Sequence, residues 1–79
     1  MKNYHITMIG ADSSFLISSD NIFMSGTSKK YINFEYKHEI TSCICLNLID
    51  NIVIYNDDND CFDTVFENGH FVVPFSEVL

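Results

Sequence analysis

Hydrophobic and polar residues alternate along much of the chain, which is the pattern of β-strands that bury one face. The clearest segment runs from Tyr31 to Ile40, where apolar residues and one histidine alternate with polar or charged ones. Asn3 to Ile9 shows a shorter alternation of the same kind, around Tyr4 and Ile6. We predict that both segments are antiparallel strands.

A central hairpin is predicted around Asp50-Asn51, because these two residues tolerate tight turns and separate the apolar runs Cys43–Ile49 and Ile52–Tyr55. A two-residue turn there would place Ile49 opposite Ile52. Both runs are apolar on nearly every residue, so this pair is expected to lie in the centre of a sheet.

A second hairpin is predicted at Asn68-Gly69, the strongest turn signal in the chain. Its register places Phe66 opposite Phe71 and gathers Phe62, Thr64 and Phe66 on one aromatic-rich face. Pro74 cannot donate a hydrogen bond to a neighbouring strand, so the last strand is expected to be an edge.

The segment between the predicted strands Asn3–Ile9 and Tyr31–Ile40 has two interpretations. Phe15–Ile17 and Ile22–Met24 are apolar and flank a polar turn, which favours two short strands. The alternative is an α+β fold with one helix near residues 12–24, but serine and asparagine disfavour a helix interior.

The sequence therefore predicts one mainly β domain over residues 1–79, an antiparallel meander or curled sheet of about six or seven strands with at most a short helix. The expected edge formed by Asn3–Ile9 makes a homodimer a second expectation. The predicted core consists of Phe34, Ile44, Leu46, Leu48, Val53, Phe66 and Phe71.

The charge of the chain restricts its partners. Eleven carboxylates oppose four lysines and no arginine, which gives a net charge of −7. Direct binding to nucleic acid or to an anionic membrane requires cations that this chain lacks. The N-terminus shows no apolar signal run, so we expect a cytoplasmic protein.

Five of the eleven carboxylates cluster within residues 57–67. We predict that this cluster, with two glutamates on the charged face of the Tyr31–Ile40 strand, binds a basic surface of a protein partner. The predicted contact residues are Asp57, Asp58, Asp60, Asp63, Glu67, Glu35 and Glu39.

Two groups of residues resemble metal ligands only in part. Asn56, Asp58, Asp60 and Glu67 have the spacing of a calcium loop, but Cys61 stands where such a loop needs glycine. Cys43 and Cys45, with Cys61 and either His38 or His70, do not have the usual spacing of a zinc site. His38 is expected on the apolar face of its strand. We predict no metal and no cofactor.

No arrangement of a nucleophile, a base and an orienting acid is visible, so no enzymatic activity is predicted. The acidic, arginine-free profile resembles that of phage-encoded miniature domains that act as DNA mimics, although no motif identifies one such family. We therefore expect an inhibitor of anti-CRISPR or anti-restriction type that binds the basic nucleic-acid-binding surface of a host defence complex. The alternatives are an immunity protein or antitoxin, and a structural β-module with no inhibitory role.

Overall fold

The computed structural model describes residues 2–27, 30–56 and 60–72. Within these ranges the chain forms eight strands, and a single 3-10 turn (Leu46–Leu48) separates the fifth from the sixth. The strands are β1 (Lys2–Met8), β2 (Phe15–Ser19), β3 (Asn21–Ser25), β4 (Tyr31–Tyr36), β5 (Glu39–Cys45), β6 (Ile49–Asn56), β7 (Cys61–Glu67) and β8 (His70–Phe71).

The strands form two antiparallel sheets that pack on one another. One sheet has five strands in the order β2-β1-β6-β7-β8, and the other has three in the order β3-β4-β5. The predicted small, mainly β, antiparallel fold is therefore confirmed. The helix considered near residues 12–24 does not form, because this segment contributes β2 to one sheet and β3 to the other. No helix among the described residues has the length and apolar character needed to cross a bilayer.

The chain passes from one sheet to the other at two corners. At the first, the buried Ser19 hydroxyl lies 2.6 Å from the carbonyl oxygen of Asn21 and 2.8 Å from that of Glu35. At the second, the 3-10 turn is held by a 2.7 Å bond from the Leu46 amide to the Lys30 carbonyl. Strand β6 then pairs with β1 in the larger sheet.

The core lies between the two sheets, and its buried apolar residues come from five of the strands. Tyr4 of the larger sheet and Phe34 of the smaller one meet edge to face, with ring centroids 5.4 Å apart. The buried apolar residues are Tyr4, Ile6, Ile22, Ile32, Phe34, Ile49, Ile52, Val65 and Phe66.

The predicted core was right for Phe34 and Phe66, which are buried. Ile44, Leu46 and Phe71 are partly buried against the core, and Val53 is half-buried on the outer face of the larger sheet. Leu48 was wrongly assigned, since it ends the 3-10 turn and its side chain is 57% exposed.

The predicted strand Tyr31–Ile40 is wrong beyond Tyr36, where the chain turns at Lys37 and His38 and returns as β5. Both turn residues have positive φ, 52° and 66°, which is uncommon for a residue such as lysine. Asp20 supports the turn, because its carboxylate accepts a 3.2 Å hydrogen bond from the Lys37 amide.

The predicted hairpin at Asp50-Asn51 is also wrong, because both residues lie inside β6. Thr7 pairs with Asn51 and Met8 with Ile49, so Asp50 is the extra residue of a β-bulge. The bulge accommodates these two residues without reversing the chain. The direction of the preceding run changes instead in the 3-10 turn, and β5 and β6 belong to different sheets.

The Asn68-Gly69 hairpin is confirmed, with Phe66 opposite Phe71 as predicted. Their rings are in edge-to-face contact at 5.1 Å. Asn68 and Gly69 both have positive φ, 53° and 83°, which matches the turn that these residue types favour. The edge predicted at Pro74 lies outside the described residues.

The predicted edge at Asn3–Ile9 is wrong, because β1 lies inside the larger sheet between β2 and β6. Its backbone groups pair with strands on both sides. Pairing through β1 therefore does not explain a homodimer.

Candidate protein-binding surface

Three of the predicted contact residues lie together on β7 and the turn that precedes it. Asp60, Asp63 and Glu67 are all exposed. Strand β7 pairs with β6 from Asn56↔Cys61 to Asn51↔Glu67. We call this pair of strands, with Asp60, the acidic hairpin.

The backbone and side chains around these carboxylates are ordered by local contacts. Asp60 has a φ of 54°, and its carboxylate accepts a hydrogen bond from the Tyr55 hydroxyl. The Cys61 thiol lies 3.9 Å from a carboxylate oxygen of Asp63. Glu67 is opposite His70 across the final hairpin.

The charges of the chain are divided unevenly along its length. All four lysines occur at or before Lys37, whereas eight of the eleven carboxylates come after it. Neither strand of the acidic hairpin contains a lysine, and the chain contains no arginine. A cationic partner approaching this hairpin therefore meets no lysine on its two strands, and the neighbouring strand β1 contributes Lys2 at its start.

The other predicted contact residues do not join this group. Asp57 and Asp58 lie outside the described residues. Glu35 and Glu39 belong to the smaller sheet, and the turn at residues 37–38 places them on successive strands rather than on one. Glu35 pairs with Ile40 and Tyr36 with Glu39, so the two glutamates are on opposite faces of the sheet. The predicted shared charged face is wrong for this pair.

The calcium-loop spacing does not bring its oxygen ligands together. Asp60 and Glu67 lie near opposite ends of β7, about 20 Å apart at the rise of an extended strand. Asp58 is outside the described residues. Within residues 2–27, 30–56 and 60–72, no group of three or more histidine, cysteine or acidic residues is arranged to hold a metal ion.

The cysteines and histidines are distributed over both sheets. Cys43 and Cys45 pair with Asn33 and Tyr31 on β4, whereas Cys61 begins β7 of the larger sheet. The three cysteines, all within the described residues, form no disulfide. His38, expected on an apolar strand face, is instead an exposed residue of the positive-φ turn.

Sequence reasoning missed a group of side chains on the outer face of the larger sheet. Leu16 is opposite His5 and His5 is opposite Val53, while Tyr55 is opposite Phe62. These five residues alternate with core residues along their strands and so face away from the core. We call them the outer aromatic patch.

A β-bulge explains why Phe62 belongs to this patch. Ile52 pairs with Phe66 and Val53 with Thr64, so Val65 is an extra residue in β7. The extra residue reverses the face to which the earlier part of the strand points. Phe62 is therefore 57% exposed, although the unbroken alternation predicted it beside Phe66 on the aromatic-rich face. That prediction is wrong for Phe62 and Thr64.

Comparison with protein-family models, with curated proteins and with solved structures found no match to this chain.

Proposed function

We propose that the chain is a non-enzymatic, cytoplasmic inhibitor of anti-CRISPR or anti-restriction type. Its acidic hairpin binds the basic nucleic-acid-binding surface of a host defence complex and excludes the nucleic acid. The observation that supports this proposal is the alignment of three exposed carboxylates along one hairpin whose strands carry no cation. Complementary charge of this kind steers association and selects against acidic partners.

The geometry favours the hairpin over the other carboxylates as the contact surface. Asp60, Asp63 and Glu67 occupy a single strand and its turn, whereas Glu35 and Glu39 are on opposite faces of the other sheet. Asp63 is opposite Ile54 and Glu67 is opposite Asn51, so these two carboxylates point to opposite faces of their sheet, and a basic surface contacts both only across the hairpin.

A charge-neutral hairpin tests this proposal. The triple variant Asp60→Asn, Asp63→Asn and Glu67→Gln keeps side-chain size and removes three charges. We expect it to fold normally and to associate with its basic partner about tenfold more slowly at low salt, with a smaller change in dissociation rate. At 1 M salt, where the Debye length is about 3 Å, the difference should largely disappear.

A matched triple variant, Asp12→Asn, Glu35→Gln and Glu39→Gln, removes the same number of charges away from the hairpin. Both variants and the parent are expressed in hosts whose CRISPR or restriction system targets a test phage. The parent and the matched variant should restore phage plaques, whereas the hairpin variant should not. Failure of the parent in both kinds of host contradicts the proposal. Rescue of cells from a co-expressed toxin would instead favour the antitoxin alternative.

A further inference from the structure

The outer aromatic patch leaves large apolar side chains in contact with solvent. Leu16 is 56% exposed, Phe62 57% and Tyr55 36%. They lie on neighbouring strands of one sheet face, together with the half-buried His5 and Val53. Exposed apolar groups that are contiguous and bordered by polar residues are typical of interaction sites.

The aromatic rings of the patch are held in a defined arrangement. The Phe62 ring contacts His5 edge to face at 5.1 Å and Tyr55 at 5.3 Å. The Tyr55 hydroxyl is in turn bound to Asp60. Binding a partner on Phe62 therefore requires little further ordering of the ring, which favours affinity.

Carboxylates border this patch at both ends of β7. Asp60 adjoins it through Tyr55. Glu67 pairs with Asn51, which in turn pairs with Thr7, so it belongs to the same outer face. Asp63 is opposite Ile54 and points to the other face. The patch thus shares its face with Glu67 and contacts Asp60 at its end.

The negative charge of this surface indicates which class of partner it favours. A second copy of the chain would bring a second set of carboxylates against the first, and like charges at an interface are unfavourable. A cation with a planar apolar face suits both features, because it stacks on an aromatic ring while it binds a carboxylate. Arginine has these properties, and its guanidinium is more weakly hydrated than the ammonium of lysine.

We propose that the outer aromatic patch docks an arginine-bearing segment of the basic partner, with a guanidinium stacked on Phe62 and bound to Asp60. This inference rests on the proposed function, since it identifies the residue type that the acidic surface prefers. The chain itself has no arginine, so no internal guanidinium competes for the patch.

The probes are fluorescent nona-arginine and nona-lysine peptides, which have equal charge and differ in the cationic group. We expect the parent to bind nona-arginine more tightly at 0.1 M salt. Phe62→Ala should weaken nona-arginine binding by about two- to fivefold and leave nona-lysine binding nearly unchanged, because cation–π contacts at exposed sites are modest. Phe62→Leu should behave like Phe62→Ala, because leucine keeps apolar area but has no π face.

Leu48→Ala is the matched control, because Leu48 is equally exposed, at 57%, and lies in the 3-10 turn before β6, outside the patch. It should bind both peptides like the parent. Equal affinity of the parent for the two peptides, or an unchanged affinity of Phe62→Ala for nona-arginine, overturns this inference. If the charge-neutral hairpin variant binds both peptides as tightly as the parent, the proposed function fails as well. If that variant loses binding to both peptides while Phe62→Ala binds them like the parent, the inference is overturned and the proposed function is not.

Discussion

Replacing Phe34 with alanine is expected to leave the domain largely unfolded at room temperature. Phe34 is fully buried and its ring meets Tyr4 across the two sheets at 5.4 Å. Truncating a buried phenylalanine costs about 3–5 kcal/mol. A core of this size supplies about 3–5 kcal/mol of net stability. The cost of the truncation is therefore as large as the whole free energy of unfolding.

The free energy of unfolding is measured by urea titration, with far-UV circular dichroism and tyrosine fluorescence as probes because the chain has no tryptophan. Leu48→Ala is the control and should stay within about 0.5 kcal/mol of the parent, since Leu48 is exposed. Phe34→Leu retains most of the apolar volume and should give a measurable, smaller decrease. A Phe34→Ala midpoint equal to that of the parent would show that this ring does not join the two sheets.

Local patterns in the sequence predict where the strands lie but not how they divide between sheets. Tyr4 and Ile6 alternate with polar residues, and this is enough to place β1. Their partners Ile54 and Ile52 are far away in the chain, and alternation contains no information about such long-range pairs. The apolar run before Asp50 therefore suggested a hairpin with the next run, although the next run pairs with β1.

Turns and bulges mark a second limit of local patterns. Asn68-Gly69 has the residue types that favour positive φ, and its hairpin was predicted correctly. Lys37 and His38 do not, and their turn depends on pairing between β4 and β5 and on the Asp20 carboxylate. Such support comes from another part of the chain, so it cannot be predicted from the residues of the turn itself.

The candidate surface was predictable only in its charge. The clustering of Asp60, Asp63 and Glu67 along the sequence survives in the fold because they occupy one strand and its turn. The aromatic part of the surface was not predictable, since one extra residue at Val65 moves Phe62 from the inner to the outer face. A single-residue bulge thus determines that Phe66 lies in the core and Phe62 on the exposed face.

Stability at high pH should depend on a single buried phenol. Tyr4 is 1% exposed, and burial raises its pKa from 10.0 to about 12, because the phenolate would lose its hydration. Between these two values the folded state keeps a proton that the unfolded state releases. The contribution of the protonated Tyr4 to the free energy of unfolding is therefore complete well below pH 10 and is lost as the pH rises towards 12.

Tyr4→Phe isolates this effect, because phenylalanine keeps the ring that contacts Phe34 but has no ionisable hydroxyl. We expect the unfolding free energy of the parent to fall by about 2–3 kcal/mol more than that of Tyr4→Phe between pH 10 and pH 12. Urea titrations of both proteins at several pH values from 9 to 12 give the difference directly. Titration of the lysines, cysteines and other tyrosines is common to both proteins and largely cancels. Parallel curves would mean that the Tyr4 hydroxyl reaches solvent when it ionises, and that the core at this position opens without unfolding the sheets.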